Sequence, residues 1–428
     1  METIFALASA RGKSGVAVIR ISGDQAHGVC LALAGRVPAT RRATLCTLRD
    51  AAGAVLDQAL VVVFAKGASF TGEDVVEIMT HGSLATIAAV ETCLSREHGL
   101  RLAEPGEFTR RALENGVLDL TQVEGLSDLL AAETESQRRQ AQRVLDGAIG
   151  RVVADWRADL LKAAALIEVS IDFVEEDVGN WDDQILAALR RVIDSVGREI
   201  SGQHARERVQ TGFEVAIVGS VNAGKSSLLN TLAGREAAIT SDIAGTTRDV
   251  IELRMDIGGY AVTLLDTAGL RETTEQIEAI GIARGQKRAE GADFRIILCD
   301  GPHGAPPVVA GPDDIVLFSK ADLYPGKEGG ISSVTGQGID DLLATITQRL
   351  ASRTPADGVT IRRRHLIAME NALDALTKAV DPVAQGAYIP ELVAADIRAG
   401  ITALDSLIGK IDVEDLLGDI FSSFCIGK

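Results

Sequence analysis

The spacing of apolar residues changes along the chain, and each spacing predicts a different kind of element. Short extended apolar stretches at residues 16–21, 60–64 and 75–79 predict strands, and the run from Ser83 to about Arg96 predicts a helix. Pro105-Gly106 then breaks the chain before a new helical region. The N-terminal region is therefore predicted to mix α and β elements.

Two later regions show the three- and four-residue spacing of amphipathic helices. The apolar positions of the first are Leu145, Ile149, Val152, Trp156, Leu160, Ile185, Leu189, Val192, Val196 and Ile200. Those of the second are Leu366, Met369, Leu373, Leu376, Val380, Ile401, Leu404 and Ile408, with a restart at Pro390 and a continuation over 413–424. Because both stripes must be buried, we expect one helical domain that an insertion interrupts.

The insertion alternates strands and helices as a parallel α/β sheet requires. Buried strands are predicted at 215–218, 294–299 and 315–318, with another just before Ile331, and residues 251–265 predict a hairpin that turns at Gly258-Gly259. Prolines between residues 301 and 314 leave no room for a connecting helix. The predicted segments are an N-terminal α+β domain at 1–115, a helical part at 116–210, the α/β domain at 211–353 and a second helical part at 354–428.

Composition places the chain among globular proteins, and 428 residues suffice for about three domains. No apolar run approaches the ~20 residues that span a bilayer, and the first residues lack a basic secretion signal, so we expect a cytoplasmic protein without a membrane partner. Scattered cysteines without C-x-x-C spacing disfavour disulfides and zinc. The net charge of −17 disfavours unaided RNA binding, and we interpret the arginine clusters at 138–143 and 362–364 as solvated helix faces or helix starts rather than phosphate contacts.

Residues 219–226 match the phosphate-binding pattern G-x-x-x-x-G-K-S, directly after a predicted strand. The glycines let backbone N–H groups turn toward phosphates, Lys225 supplies a positive charge, and Ser226 offers a hydroxyl to Mg²⁺. The predicted contacts in this loop are Asn222, Ala223, Gly224, Lys225, Ser226 and Ser227. The strand before the loop and the helix after it make nucleotide binding the expected function.

Two further segments have the chemistry to sense a γ-phosphate. Asp266 ends a predicted strand and can hold Mg²⁺ through water, while Gly269 lets a backbone N–H reach the phosphate. Thr246 and Thr247 lie in a polar loop, where a threonine hydroxyl can complete the magnesium shell when triphosphate is bound. We expect these segments to respond to GTP hydrolysis.

The base is predicted to be guanine. Asp322, in Ser319-Lys320-Ala321-Asp322, can accept two hydrogen bonds from guanine that adenine cannot supply, and Lys320 and Ser332 complete this part of the site. The joint order of all these motifs resembles the GTPase branch of P-loop proteins. Ser319 departs from the pattern, because such GTPases usually carry asparagine there, and the shorter serine is expected to weaken guanine affinity.

A second departure concerns catalysis. Many GTPases carry a water-orienting glutamine where this chain has Leu270, which cannot hydrogen-bond. Glu272, Glu275 and Glu278 are candidates for that role, although such an acidic stretch is also typical of a solvated helix start. Asn222 is a candidate ligand for a monovalent cation in the place of an arginine finger.

The whole chain resembles the tRNA modification GTPases of the MnmE (TrmE) family. In the insertion the resemblance rests on the segments at 242–249 and 266–272. Elsewhere it rests on Phe70-Thr71-Gly72-Glu73-Asp74, His81-Gly82, Pro105-Gly106-Glu107-Phe108-Thr109, Ile171-Asp172-Phe173, Glu175-Glu176-Asp177 and Phe424-Cys425-Ile426-Gly427-Lys428. These segments are more discriminating than the phosphate loop.

The resemblance implies a multidomain fold with an N-terminal folate-binding and dimerisation domain, a helical domain and an inserted Ras-like GTPase domain. It implies a homodimer that forms a heterotetramer with an FAD-dependent MnmG (GidA) type partner. Together they would add a carboxymethylaminomethyl-type group to the wobble uridine of certain tRNAs, using a one-carbon tetrahydrofolate, GTP, Mg²⁺ and K⁺. Hydrolysis is expected when two GTPase domains meet across potassium.

The resemblance also implies roles for single residues. Glu278 would orient the attacking water, Lys225 and Thr247 would assist catalysis, and Asn222 would bind potassium together with Thr240 and Ile243. Residues 246–248 would form a mobile switch. For folate the candidates are Arg20, Glu77 and Lys428, with the Cys425 thiol near the one-carbon site; Arg20 is alternatively a dimer or strand-edge charge, and Cys425 alternatively packs in a core.

Two other functions remain open from the sequence. A ribosome-assembly GTPase would act as a binding switch, but such proteins generally carry a basic RNA-binding appendage that this acidic chain lacks. A phosphoryl-transferring kinase would need an acceptor site, which the Asp266 and Asp322 motifs do not provide.

Overall fold

Two separate sheets organise the chain. The computed structural model describes residues 2–172, 181–220, 222–235, 237–239, 252–266, 291–306, 308–324, 327–354, 358–359, 361–386, 388–409, 421, 424 and 426–427. The chain falls into two units, the first made of residues 1–127, 144–157 and 401–428 and the second of residues 128–143 and 158–400. Each unit contains one of the sheets.

The first unit contains a six-stranded sheet with helices on its faces. Its elements are β1 (Thr3–Leu7), β2 (Ser14–Ser22), α1 (Ala26–Ala34), β3 (Thr44–Arg49), β4 (Val55–Phe64), β5 (Val75–Gly82), α2 (Leu84–Ser95), β6 (Leu100–Leu102) and α3 (Glu107–Glu114). The strand order is β3-β4-β5-β2-β1-β6. All neighbours are antiparallel except β1 and β6, which run parallel.

Alternation along the strands decides which face of this sheet is buried. In β2, Ala17, Ile19 and Ile21 are fully buried, and the latter two share a core with residues of α1 and α2. Ser83 starts α2 by accepting a hydrogen bond from Thr86 N at 3.1 Å. The sequence prediction omitted β1, β3, β6 and α1, because these elements are short or carry polar residues and glycine among their apolar positions.

Long helices follow, as the apolar spacing predicts. They are α4 (Leu120–Ala131), α5 (Glu135–Leu145), α6 (Ala148–Asp172) and α7 (Asp182–Thr211). Among the described residues, no helix combines the length and the apolar character that crossing a membrane requires.

The second sheet has five strands in the order β11-β10-β7-β9-β8. Its elements are β7 (Phe213–Gly219), α8 (Lys225–Ala233), β8 (Glu252–Ile257), β9 (Tyr260–Asp266), β10 (Phe294–Cys299), β11 (Ile315–Phe318) and α9 (Ile339–Arg353). The central strand β7 is parallel to β9 and β10, and β8 and β9 form an antiparallel hairpin. Gly258 and Gly259 turn this hairpin with φ of 61° and 88°, a region that glycine adopts without strain.

Two features of this sheet bear on the predictions. In the described residues between 301 and 314 no helix connects β10 to β11, in agreement with the prolines there. The strand predicted before Ile331 is wrong, because Gly330 forms only an isolated parallel bridge with Phe318. Gly329 and Gly330 have no side chains with which to extend the sheet, so the chain turns directly into the Ser332 loop.

The chain then returns to long helices. These are α10 (Arg363–Ala384) and α11 (Pro390–Asp405). Helix α10 packs against α7, and Gln203 Nε2 on α7 donates to Ile361 O at 2.6 Å. The two predicted apolar stripes therefore meet in the second unit, while the predicted segment boundaries stay predictions.

Candidate nucleotide-binding site

The phosphate loop connects the central strand of the second sheet to α8. Asn222 and Gly224 have φ of 65° and 87°, so the loop turns back sharply before the helix begins at Lys225. Gly219 is required at the end of β7, because a β-carbon there would lie 2.8 Å from Leu298 O. Ala223 is buried below the loop, whereas Ser226 and Ser227 are exposed on the first turn of α8. The first turn of a helix presents free N–H groups that suit a phosphate.

Lys225 is buried inside this loop. Its Nζ donates to Gly219 O and Ser220 O, both at 2.8 Å, and only 7% of the residue is exposed. Burial lowers the pKa of Lys225, and the nearby Asp266 carboxylate opposes that shift. The ammonium group is therefore held by neutral carbonyl oxygens, and phosphate oxygens offer it stronger partners.

A hydroxyl and a carboxylate form a hydrogen-bonded pair beside Lys225. Ser226 Oγ donates to Asp266 Oδ2 at 2.9 Å, and Asp266 is 2% exposed at the end of β9. Because β7 and β9 are parallel neighbours, their carboxyl ends bring the hydroxyl and the carboxylate to one edge of the sheet. A hydroxyl beside a carboxylate is the oxygen donor set that Mg²⁺ prefers.

The predicted guanine contacts meet after β11. Ser332 Oγ donates to Asp322 Oδ1 at 2.6 Å and accepts from the backbone N of Val334 and Thr335, both at 3.2 Å. Lys320 has a φ of 60°, and its Nζ donates to Asp300 Oδ1 at 2.6 Å. The Asp322 carboxylate is thus oriented by a fully buried serine.

Helix α8 joins this corner to the phosphate loop. Thr231 Oγ1 donates to Ser333 O at 3.0 Å, so the loop after Ile331 contacts the helix that starts at Lys225. The structure therefore brings together Lys225, Ser226, Asp266, Asp322 and Ser332 within one unit.

Several predicted residues lie outside the described residues. They are Thr240, Ile243, Thr246, Thr247, Gly269, Glu278, Cys425 and Lys428. Their roles in the switch, in water activation, in cation binding and at the folate site stay predictions.

The predicted folate residues form a second polar cluster, in the first unit. Arg20 Nη2 lies 2.8 Å from Glu77 Oε1, and its guanidinium carbon lies 5.4 Å and 5.6 Å from the ring centroids of Phe70 and Phe108. Arg20 Nη1 also donates to Gly427 O at 3.3 Å, which places the C-terminal tail beside it. The reading of Arg20 as a strand-edge charge is wrong, because β2 lies between β5 and β1.

A cleft of about 390 Å³ adjoins this pair. Glu77 and Phe70 line it together with Arg41, Phe64 and Val75. A carboxylate, an aromatic ring and an arginine are the groups that a flat heterocycle bearing amino groups and a carboxylate tail can use.

The first unit also contains a network of buried charges. Arg111 Nη1 donates to Glu73 Oε2 at 3.0 Å, and Arg111 Nη2 donates to Glu107 Oε1 at 2.9 Å. Ser22 Oγ donates to Glu73 Oε2 at 2.7 Å. Burial alone would raise the pKa of Glu107, but hydrogen bonds from Arg101, Glu104 N and Arg111 outweigh it and lower the pKa to about 2.

Comparisons with known proteins show the family of the chain. A family model described as the GTP-binding protein TrmE N-terminus matches residues 3–117, and one described as the MnmE helical domain matches residues 120–425. The tRNA modification GTPase MnmE of Cereibacter sphaeroides (strain ATCC 17025 / ATH 2.4.3) is 54% identical over 429 residues, covering 100% of both chains. That of Ruegeria pomeroyi is 53% identical over 429 residues with the same coverage. The chain belongs to the MnmE family of tRNA modification GTPases.

Membership in the MnmE family confirms the predicted family and fold class, with an N-terminal domain, a helical domain and a P-loop α/β domain. Among solved structures, the G domain of the T. maritima FeoB iron transporter shares 22% identity and covers 33% of this chain and 99% of its own, with a TM-score of 0.23.

Some contacts of the second polar cluster and of the charge network beside it were not predictable from the sequence. Phe70 and Glu73 belong to a segment on which the resemblance rests, yet their contacts with Arg20 and Arg111 were not predicted. Arg111 is 38 residues from Glu73, and a separation of this size leaves no periodic signal. Arg41, which also lines the cleft, carries no motif at all.

Proposed function

We propose that this chain is a potassium-dependent GTPase that acts in wobble-uridine modification of certain tRNAs. It would add a carboxymethylaminomethyl-type group together with an FAD-dependent MnmG-type partner. The observation that carries the proposal is the match to tRNA modification GTPases over 100% of the chain, combined with the Ser226 and Asp266 pair at the phosphate loop. The name of the relatives supports the role in tRNA modification, and the geometry of the phosphate loop supports the binding and hydrolysis of GTP.

In the proposed GTP complex the first turn of α8 holds the phosphates. The backbone N–H groups of residues 223–227 point at phosphate oxygens, and Lys225 exchanges its carbonyl partners for them. Ser226 and Thr247 would hold Mg²⁺ directly, and Asp266 would hold it through a water molecule. Magnesium would neutralise charge on the phosphates, while Thr246 and Gly269 sense the γ-phosphate.

Water activation and potassium binding are assigned through the family resemblance. Asn222 is exposed on the phosphate loop, where the oxygen of its side chain can bind a cation. Thr240 and Ile243 would complete that site, and Glu278 would orient the attacking water. We expect GTP turnover at least about tenfold faster in K⁺ than in Na⁺ at equal ionic strength, and equal rates would remove the cation assignment.

For the first unit we propose a one-carbon tetrahydrofolate bound in the cleft beside Arg20 and Glu77. Glu77 would accept hydrogen bonds from the pterin amino group, and Phe70 would contact its ring. Lys428 and the Cys425 thiol belong to the same proposal, supported by the position of Gly427 beside Arg20. Isothermal titration with tetrahydrofolate tests the site, and Glu77→Gln should weaken binding about tenfold or more.

A homodimer is supported by a row of apolar side chains on the open face of the first sheet. Leu45, Leu60, Met79 and Val18 are successive cross-strand neighbours on β3, β4, β5 and β2. Leu45 is 60% and Leu60 is 43% exposed, on the face opposite the core shared with α1 and α2. Exposed contiguous apolar area of this kind is typical of interfaces. The homodimer and two copies of the MnmG-type partner would form the proposed heterotetramer in the cytoplasm.

Nucleoside analysis of tRNA from cells that lack this chain tests the function directly. We expect the wobble-uridine modification to disappear, to return with the wild-type gene and not to return with Lys225→Ala. Unaltered wobble uridines with defective ribosome assembly would favour the alternative of a ribosome-assembly GTPase.

A further inference from the structure

Ser319 lies between the guanine corner and the phosphate loop. It follows β11 directly, is 5% exposed, and precedes Lys320 and Asp322. A β-carbon built on Gly224 would lie 3.9 Å from Cβ of Ser319. Residue 319 is therefore the point at which a longer side chain would connect the two parts of the nucleotide site.

The hydroxyl of Ser319 is directed elsewhere. Ser319 Oγ donates to Cys299 O at 3.2 Å, and Ser319 N donates to the same oxygen at 2.9 Å. A hydroxyl has one hydrogen, so none is left for the phosphate loop or for a base. An asparagine side chain would carry two N–H donors one bond further from the backbone.

Guanine presents two different hydrogen-bonding edges. Asp322 suits the edge with N–H donors, whereas O6 and N7 are acceptors and need a donor from the protein. Lys320 Nζ is bound to Asp300 Oδ1, and the Ser319 hydroxyl is bound to Cys299 O. The acceptor edge thus receives no hydrogen bond from the side chain of residue 319.

We propose that Ser319 sets a short lifetime for bound guanine nucleotide, an inference that rests on the proposed GTPase function. Without a side-chain donor at 319, this residue does not connect the base to the phosphate loop, and bound GDP is released faster than it would be with asparagine at this position. One missing neutral hydrogen bond corresponds to about a threefold to tenfold change in lifetime.

The release rate of fluorescent N-methylanthraniloyl-GDP from the full chain tests the proposal. Ser319→Asn should release it about threefold to tenfold more slowly than wild type. Ser319→Ala is the matched control and should stay within about twofold of wild type, because the removed hydroxyl serves Cys299 O. Equal or faster release from a folded Ser319→Asn overturns the proposal, as does a tenfold acceleration in Ser319→Ala.

A measurement on the wild-type chain needs no variant. GDP and 7-deaza-GDP, which lacks N7, should bind with affinities within about twofold of each other, whereas inosine diphosphate, which lacks the amino group read by Asp322, should bind more weakly. A tenfold preference of wild type for GDP over 7-deaza-GDP overturns the role of Ser319 alone. Absence of any GDP binding overturns both this proposal and the GTPase function.

Discussion

Lys225 and Arg111 are both buried cations, and the structure gives them different kinds of partner. Lys225 is held by two neutral carbonyl oxygens of its own loop. Arg111 is 4% exposed at its side chain and makes ion pairs with Glu73 and Glu107. Since a carboxylate partner holds a cation far more firmly than a carbonyl does, Lys225 is available to an incoming phosphate, whereas Arg111 is committed to the fold.

The difference predicts which substitution damages stability and which damages binding. At the phosphate loop the strong partner of the buried cation is the phosphate of the nucleotide. Removing a residue there should therefore weaken nucleotide binding more than it lowers the free energy of unfolding. In the first unit the partners of the buried cation are carboxylates of the protein itself. Removing a residue there should therefore lower the free energy of unfolding more than it changes activity.

The largest effect is expected for Arg111→Met. This substitution leaves Glu73 and Glu107 buried without their shared partner and should lower the free energy of unfolding of the first unit by about 3–5 kcal/mol. Urea unfolding followed by hydrogen exchange of β1 and β2 amides measures it. Arg110→Met is the control: Arg110 is only half-buried, pairs with Glu104 and lies over the ring of Phe421, so its loss should cost about 1 kcal/mol. Similar losses in both variants would mean that the buried network is not what stabilises this region.

The second effect is at the phosphate loop. Lys225→Ala should weaken GDP binding by at least about 100-fold, which is ~2.7 kcal/mol, because the phosphates lose their buried positive charge. Its unfolding in the absence of nucleotide should change by less than about 2 kcal/mol, since its hydrogen-bond partners are neutral carbonyl oxygens and Asp266, which loses one nearby charge, keeps the hydrogen bond from Ser226. Fluorescent GDP titration and thermal unfolding give the two values. A large loss of stability without nucleotide would erase the contrast with Arg111.

Acid should separate the two regions as well. The pKa of Glu107 is about 2 in the folded chain and 4.5 as the ordinary value, so its contribution to stability is present above pH 4.5 and is lost as the pH falls toward 2. Hydrogen exchange of β1 and β2 amides between pH 5 and pH 2 should therefore accelerate. Glu107→Gln should remove most of that pH dependence, and an unchanged profile in this variant would assign the acid sensitivity to other groups.

The smallest contrast involves two serines that each donate to a carboxylate. Ser22 is fully buried against Glu73, and Ser22→Ala should cost about 1–3 kcal/mol of stability. Ser226 is exposed, and Ser226→Ala should cost less than about 1 kcal/mol while it weakens Mg²⁺-dependent GDP binding. Thermal unfolding of both variants, with and without Mg²⁺ and GDP, checks the pair. Equal costs would show that burial does not distinguish them.

The sequence predicted the second sheet better than the first for a physical reason. Strands such as Phe294–Cys299 are buried on both faces and are apolar at every position except Arg295, whereas Thr44–Arg49 mixes two threonines and an arginine with its apolar residues in no regular period. The prediction of a strand before Ile331 was wrong, because the two glycines there form only a single bridge, between Gly330 and Phe318.

The candidate sites show the same division. Lys225, Ser226 and Asp322 were predicted because their functions depend on local motifs with a backbone geometry of their own. Phe70 and Arg111 were missed as contacts of Arg20 and Glu73, because their partners come from distant strands and helices. Only the folded sheet brings such residues together.

The hydrogen bond from Arg20 to Gly427 joins residues that are 407 positions apart. During synthesis β2 leaves the ribosome long before Gly427 exists, so a nascent chain can complete the first sheet before Arg20 has this partner. The bridge between Pro105 and Ile426 has the same timing. The contact between Arg20 and Gly427 is therefore a late event in the life of each molecule, because 407 positions of the chain separate the two residues.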